Sequence, residues 1–179
     1  MSNAALLMTD LPHDFTRLYR ESVDQVWRVI SRLGVRPSEV EDAVQDVFII
    51  AHRRLDTLRD DVRPAAWLSA IAVKVAHDYR RRDTRKPAVP LEPAKHLPDA
   101  AERPDEVAAR RDALDFAMRL LDQLVPDQRD VFVLAELEQL TAPEIAVATS
   151  TPLNTVYSRL RLARARFNEI VAAQEAGHE

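Results

Sequence analysis

The sequence predicts an all-α protein of two small helical domains joined by a proline-rich, acidic linker. Apolar residues recur along most of the 179 residues at helical spacing, and the β-branched alternating runs that mark strands are missing. Only two glycines occur, and 46% of the residues are hydrophobic, which is enough to build compact cores. We therefore expect helices throughout and little room for a sheet.

Prolines mark the boundary between the two domains. Five of them fall within eighteen residues that lack an apolar period: Pro87, Pro90, Pro93, Pro98 and Pro104. Residues 87–107 also carry five acidic and two basic side chains, so this linker is expected to be extended and acidic. The predicted domains are residues 10–86 and 108–174.

Three helices are expected in the first domain. The first covers about residues 12–33 and is stopped by Gly34 and Pro37. The second runs from a capping box formed by Ser38 and Glu41 to residue 54 or 55. The third covers about residues 64–82.

The second helix has an unusual outer face. Its apolar stripe points inward, whereas Ile49 points away from that stripe. Four polar side chains surround it: Asp42, Gln45, Asp46 and Arg53. This mixture is typical of a surface on which a partner docks, although a single exposed isoleucine is also common on soluble proteins.

The end of the third helix is basic. Residues 74–86 hold six lysines and arginines against two aspartates, and Lys74, His77, Arg80 and Arg81 lie on or near the side opposite the apolar stripe. This surface suits nucleic acid. Cations at the end of a helix also complement its dipole, so capping remains an alternative explanation.

Four helices are expected in the second domain. The first covers about residues 105–124 and turns Leu114, Met118, Leu121 and Leu124 inward, and another starts at Pro126. The last two read as a helix-turn-helix. Thr141 and Glu144 form a capping box at the start of one, and Pro152 takes the first position of the other.

The last helix is two-faced. Its inner stripe consists of Val156, Leu160, Ala163 and Phe167, and its outer face of Asn154, Tyr157, Ser158 and Arg161. Residues 145–168 contain four arginines and no acid, although the whole chain has a net charge of −4. Such a helix could enter a major groove. The alternative is an ordinary helical hairpin whose arginines are only solvated.

The composition argues against several other classes of protein. With no cysteine there is neither a disulfide framework nor a thiolate metal site, and the five histidines are scattered. No nucleophile, base or phosphate-binding loop has credible spacing, so we expect no enzyme, no cofactor and no metal. No apolar run reaches the roughly 20 residues that span a bilayer, so we expect a cytoplasmic protein with no membrane insertion.

Two groups of motifs resemble a known family. Residues 39–48, 64–68 and 79–82 resemble region 2 of bacterial extracytoplasmic-function (ECF) sigma factors, and residues 124–132, 144–146, 155–160 and 163–166 resemble region 4. The two regions appear in order with a short linker and no intervening domain. That is the reduced layout of this family, called group IV.

The resemblance implies a function. Sigma factors of this family bind core RNA polymerase and direct promoter-specific initiation. Region 2 docks on the polymerase clamp and melts the minus-10 element, and region 4 reads the minus-35 element. An anti-sigma factor is a possible further partner, and the linker would run through polymerase channels.

The resemblance also implies roles for individual residues. Five would face the polymerase: Asp42, Gln45, Asp46, Ile49 and Arg53. Six would contact the minus-10 element and the melted non-template strand: Arg59, Arg63, Lys74, His77, Arg80 and Arg81. Seven would contact double-stranded minus-35 DNA: Asn154, Thr155, Tyr157, Ser158, Arg159, Arg161 and Arg164, with Arg159 and Arg164 nearer to phosphates.

The chain departs from the family pattern at two places. Ser150 and Thr151 stand in the turn where glycine and an aliphatic residue are common, which predicts a looser or differently capped turn. Tyr157 stands where a basic residue is common. Two other functions therefore stay open: a helix-turn-helix regulator that acts without polymerase, and a sigma-like interaction protein that does not bind DNA.

Overall fold

The computed structural model describes residues 13–83 and 104–176, and every regular element in these two ranges is helical. The predicted all-α fold is confirmed. In these ranges the first domain contains α1 (His13–Arg32), α2 (Val40–Arg53) and α3 (Pro64–Asp83), and the second contains α4 (Pro104–Leu121), α5 (Pro126–Phe132), α6 (Ala142–Ala148) and α7 (Leu153–Ala176).

The three helices of the first domain pack pairwise around one apolar core. Ile30, Leu33, Val47 and Leu68 are completely inaccessible to solvent. The chain leaves α1 through Gly34, whose φ of 84° is accessible to glycine at little cost. The predicted stop at Gly34 is therefore confirmed.

The start of the second helix differs from the prediction. The residues Pro37–Glu39 form a 3₁₀ turn, and the α-helix begins only at Val40 with no capping hydrogen bond from a side chain. Proline begins that turn because its fixed φ suits it. Ser38 thus lies inside the turn instead of preceding the helix, and the capping box of Ser38 with Glu41 does not form.

In the second domain, α5 and α7 pack against each other, and the rings of Phe132 and Phe167 stack with centroids 4.7 Å apart. A single π-helical turn, Val133–Leu137, extends α5. Met118 is half-buried and Leu121 is buried as predicted. Leu114 was predicted to face inward but is 42% exposed, because α4 packs on α7 alone among the described helices of its domain that make extensive contact with it.

The two domains contact each other directly. Helix α6 packs on α3, and the π-helical turn touches α1. The Arg129 side chain from α5 lies so close to Gly34 that a Cβ atom there would sit 2.8 Å from its guanidinium. The closely approaching side chain is a second reason for glycine at the end of α1.

The predicted linker is only partly within the described ranges. Residues 84–103 lie outside them, so the predicted extended backbone there, and the predicted basic residues Arg85 and Lys86, lie outside the described residues. Helix α4 already begins at Pro104, within the segment assigned to the linker, because proline is well suited to the first turn of a helix.

Candidate nucleic-acid interface

The outer face of α2 is exposed as expected from the sequence. Ile49 is 45% exposed, and Asp42, Gln45 and Arg53 are exposed around it. The structure therefore brings four of the five predicted docking residues together on an open surface.

Asp46, the fifth residue of that set, is half-buried and has a structural contact. The Tyr79 hydroxyl donates a hydrogen bond to Asp46 Oδ2 over 2.9 Å. Burial of the hydroxyl, reinforced by the Asp46 carboxylate, raises the pKa of Tyr79 to about 12. Asp46 thus ties α2 to α3, and a change at Asp46 affects the fold of the first domain as well as its surface.

The loop before α3 carries two of the predicted minus-10 residues. Arg59 is exposed and pairs with Asp61 of the same loop at 3.0 Å. Arg63 instead reaches the other domain and donates two hydrogen bonds to Glu144 of α6, at 2.6 and 2.8 Å.

Glu144 is held at the same time by its own domain. The Thr141 backbone N–H and hydroxyl each lie 2.7 Å from its carboxylate, so the predicted capping box is confirmed. Hydrogen bonds from Arg63 in the first place, with those from Thr141, lower the pKa of Glu144 to about 2. One carboxylate therefore both caps α6 and fixes it to the first domain.

The basic face of α3 borders a groove of about 570 Å³ between the two domains. Four of its lining residues were predicted to contact DNA: Lys74, His77, Arg80 and Arg81. Lys74 is exposed, and Arg81 is exposed beside Asp78, with which it forms an ion pair.

His77 and Arg80 are occupied by the second domain. His77 Nε2 lies 2.5 Å from the Asp130 carboxylate, and the Arg80 guanidinium donates to its two oxygens over 3.0 and 3.2 Å. Asp130 is only 2% exposed. Burial alone would raise the pKa of this carboxyl, but the hydrogen bonds from His77 and Arg80 hold the pKa below its usual value.

The turn of the helix-turn-helix is tight. Ser150 adopts a φ of 52°, its N–H bonds to the Val147 carbonyl over 3.2 Å, and the Thr151 N–H bonds to the Ala146 carbonyl over 3.0 Å. These two bonds form a Schellman motif with serine in the left-handed position that glycine usually takes. The expectation of a looser or differently capped turn is wrong, because serine makes the same turn at a conformational cost.

The outer face of α7 presents the predicted groove-facing residues. Asn154, Ser158 and Arg161 are exposed, Tyr157 is 55% exposed, and Thr155 is half-buried. Pro152 precedes the first helical residue, Leu153, because its carbonyl accepts the first bonds of the helix. In the described part of the chain, Arg161 has no ion pair, so its full charge is available.

Arg159 and Arg164 are already paired inside their own domain. Arg159 donates to the Thr151 hydroxyl over 3.1 Å and forms an ion pair with Asp127 at the start of α5. Arg164 lies 2.6 Å from Glu136. Both acids are far away in the sequence, so the pattern of α7 alone gave no sign of these pairs.

The sequence analysis missed the charged pair Arg129 and Asp130. Both side chains are buried, at 6% and 2% exposure, and both reach the first domain: the Arg129 Nε donates to the Arg32 carbonyl over 2.5 Å. The signal was present, because these two charges directly precede an apolar run, Val131 to Leu134. Buried charges are retained only with partners, which predicts contacts across an interface.

Two further observations bear on function. The described segments hold no group of three or more metal-binding side chains. None of the helices in the described part of the chain has the length and hydrophobicity needed to cross a bilayer.

Comparison with known sequences is consistent with these surfaces. The Sigma-70 region 2 family matches residues 18–86, and the Sigma-70 region 4 family matches residues 117–167. The ECF RNA polymerase sigma factor SigM of Mycobacterium tuberculosis (strain Erdman) is 30% identical over 98% of this chain and 88% of its own length. The ECF RNA polymerase sigma-E factor of Escherichia coli K12 is 32% identical over 78% of this chain and 77% of its own.

Solved structures show the same fold. CnrH in complex with the cytosolic domain of CnrY superposes with a TM-score of 0.68 at 24% identity, over 95% of each chain. The sigma factor RpoE in complex with the anti-sigma factor NepR from Bartonella quintana gives a TM-score of 0.69 at 20% identity, over 90% of this chain and 98% of that one.

Proposed function

The chain belongs to the family of ECF RNA polymerase sigma factors, and we propose that its two domains divide the recognition of a promoter between them. Residues 10–86 bind core RNA polymerase and the minus-10 element, residues 108–174 read the minus-35 element, and residues 87–107 link them. The observation that carries this assignment is the presence, in one chain, of a helix-turn-helix and a separate helical domain whose α3 ends in a basic surface.

The minus-35 surface is the outer face of α7. The Schellman turn at Ser150 fixes the angle between α6 and α7, so that α7 can enter a major groove. Asn154, Thr155, Tyr157, Ser158 and Arg161 would then meet base edges. The unpaired guanidinium of Arg161 is the strongest candidate, because a bidentate arginine contact to guanine is the commonest specific contact to DNA.

Arg159 and Arg164 have a different part in this proposal. Their ion pairs with Asp127 and Glu136 hold α7 against α5 and the π-helical turn. A paired arginine keeps N–H groups that can still reach a phosphate, so these two residues position α7 and contact the backbone.

The minus-10 surface combines the loop at Arg59 and Arg63 with the α3 face. Lys74, His77, Arg80 and Arg81 form a cationic rim along α3 that would hold the backbone of the melted non-template strand. Arg59 and Arg63 flank the place where an unstacked base would be bound. Extruding a base costs a few kcal/mol, which phosphate contacts and stacking must offset.

The polymerase surface is the outer face of α2. Ile49 supplies an apolar centre, and Asp42, Gln45 and Arg53 supply a polar rim, which is the usual arrangement of a protein interface. Asp46 contributes mainly by fixing α2 to α3. Because the activity belongs to the polymerase, this chain needs no catalytic residue, cofactor or metal, and it would act in the cytoplasm.

Two other functions make different predictions. A helix-turn-helix regulator would bind its DNA site without polymerase, and a sigma-like interaction protein would bind polymerase or a regulator without DNA. The exposed face of α2 and the second basic surface on α3 favour the sigma factor over the first of these. An anti-sigma factor is a further partner in this proposal.

The test is association with core RNA polymerase on a sizing column, followed by transcription. We expect wild-type protein to co-elute with core enzyme, and Ile49→Glu to lower the affinity by about 10-fold or more, because burying a carboxylate in an apolar contact is costly. Arg20→Glu, an exposed change on α1, is the matched control and should bind normally. Failure of the wild-type protein to associate with polymerase would overturn the proposal.

A further inference from the structure

The residues proposed to hold the minus-10 strand are covered by the second domain. Arg63, His77 and Arg80 each contact an acidic side chain of that domain: Glu144 for Arg63, and Asp130 for the other two. The remaining cations of the α3 face, Lys74 and Arg81, line the groove between the domains. The surface is therefore not open to a nucleic-acid strand along its whole length.

The chemistry of the contact resembles that of a phosphate. Asp130 presents two oxygens, and the Arg80 guanidinium donates to both, at 3.0 and 3.2 Å. His77 Nε2 approaches one of them to 2.5 Å. Arginine binds the paired oxygens of a carboxylate or of a phosphate with the same fork of N–H groups. Asp130 thus occupies the donors that a phosphate of the melted strand would require.

Neighbouring contacts hold Asp130 in place. Arg80 also donates to the Leu33 carbonyl over 2.7 Å, and the Arg129 Nε donates to the adjacent Arg32 carbonyl over 2.5 Å. Arg32 in turn pairs with Glu138 at 2.7 Å. The open end of α1 therefore receives guanidinium groups from both domains, next to the glycine that allows their close approach.

We propose that Asp130 is an intramolecular substitute for a DNA phosphate, and that the free protein keeps its minus-10 surface masked by its own second domain until the domains separate. This inference rests on the proposed function. The mask belongs to the chain itself and needs no second protein. Binding to polymerase, which must expose α3 to the melted strand, would supply the free energy that separates the domains.

Masking sets a thermodynamic expectation for the free protein. A ligand that binds only the open form is bound more weakly by the fraction of molecules that are open. Single-stranded DNA should therefore bind the wild-type chain weakly, and changes that weaken the mask without touching the α3 cations should strengthen binding. Because the proposed contacts are to the backbone, a mixed-sequence 12-nucleotide strand is a suitable probe.

The test uses the full chain with one change at a time. Asp130→Asn removes the charge that Arg80 and His77 share, and Glu144→Gln removes the ion pair with Arg63 while glutamine can still serve in the capping box with Thr141. Asp127→Asn is the matched control, because Asp127 pairs with Arg159 inside the second domain. The natural chain contains no cysteine, so Arg20→Cys and Ala172→Cys, both at exposed positions in different domains, provide unique sites for two dyes.

Energy transfer between the dyes reports whether the domains are closed. We expect high transfer in the wild-type background, lower transfer in Asp130→Asn and Glu144→Gln, and no change in Asp127→Asn. The affinity for the 12-nucleotide strand, measured at low salt by fluorescence anisotropy, should rise about 5- to 10-fold in the two mask variants and stay unchanged in the control. Circular dichroism identifies a variant that has lost helix, and Glu144→Gln then decides the result alone.

Two results would overturn the mask. One is transfer in the wild-type chain as low as in Asp130→Asn, and the other is unchanged strand affinity in a variant whose domains have separated. Adding core polymerase distinguishes this failure from failure of the proposed function. If the wild-type chain binds polymerase but the variants show no change in transfer or strand affinity, the mask is wrong and the sigma-factor assignment stands. If the wild-type chain binds no polymerase, the proposed function itself fails.

Discussion

Arg80 and Asp130 are fifty residues apart in the sequence and belong to different domains, yet their side chains form a two-point contact at 3.0 and 3.2 Å. Asp130 is almost completely buried by this contact. A buried carboxylate without a partner is costly, so the contact requires the two domains to stay together as long as Asp130 is shielded from water. The same arginine cannot hold a DNA phosphate at that time.

Ser150→Gly should stabilise the second domain. Ser150 has a φ of 52°, which a residue with a Cβ adopts only at a cost, so glycine should raise the free energy of unfolding by about 1 kcal/mol, less the extra chain entropy that glycine gains when unfolded. Urea titration of the full chain measures the change. Thr149→Gly is the control, because Thr149 has a φ of −92° and should lose stability. A loss of stability in Ser150→Gly would contradict the turn geometry.

Arg161 and Arg159 should respond differently to alanine. Arg161→Ala should weaken binding of the polymerase complex to an in vitro selected promoter by about 1–3 kcal/mol and leave the melting temperature unchanged, because Arg161 has no partner to lose within the described chain. Arg159→Ala should lower the melting temperature, since it removes the contacts with Thr151 and Asp127. Promoter affinity and thermal unfolding, measured on both variants, check the distinction. Equal effects of the two substitutions on both measurements would argue against it.

The contact between Arg63 and Glu144 should make stability depend on acid. The folded pKa of Glu144, about 2, lies below the ordinary value of 4.5, so its stabilising contribution is complete above pH 4.5 and is lost as the pH falls toward 2. Wild-type protein should therefore be more stable than Glu144→Gln at pH 6, and the difference should shrink progressively below pH 4.5. Thermal unfolding of both proteins between pH 3 and pH 6 measures this. A constant difference would show that the charge of Glu144 contributes nothing.

Tyr79→Phe should separate the structural role of Asp46 from the docking role of Ile49. Loss of the hydrogen bond to Asp46 should lower the free energy of unfolding by about 1 kcal/mol. The affinity for core polymerase should stay within about twofold of wild type, because Tyr79 is buried and does not reach the outer face of α2. Denaturant unfolding and polymerase titration, performed side by side, provide the comparison with Ile49→Glu. A large loss of polymerase affinity in Tyr79→Phe would mean that the docking face depends on this bond.

Helical periodicity was sufficient to locate the helices, because each has an apolar stripe that must be buried. The stop at Gly34 and the capping box at Thr141 were also predictable, since the backbone geometry at these ends requires particular residue types. The start of α2 was not, because Pro37 initiates a 3₁₀ turn where the pattern of Ser38 and Glu41 alone indicates a cap. Competing local signals of similar strength cannot be ranked from the sequence.

The partners of the charged residues could not be predicted. Arg159, Arg164, His77 and Arg80 lie on helix faces that look free in the sequence, and each meets an acid from a distant element. Such pairs depend on the packing of α5 against α7 and of the second domain against the first. A helix pattern shows which side of α7 faces outward, but not that Arg161 alone among three similar arginines there lacks an ion pair in the described chain.

The most direct test of the central claim is transcription in vitro by purified protein and core RNA polymerase on a library of random promoters. Initiated transcripts should share two conserved elements at the spacing of a minus-10 and a minus-35 site, and Arg161→Ala should relax the choice of base within the minus-35 element only. No initiation above that of core polymerase alone, in a sample where the protein is folded, would contradict the account.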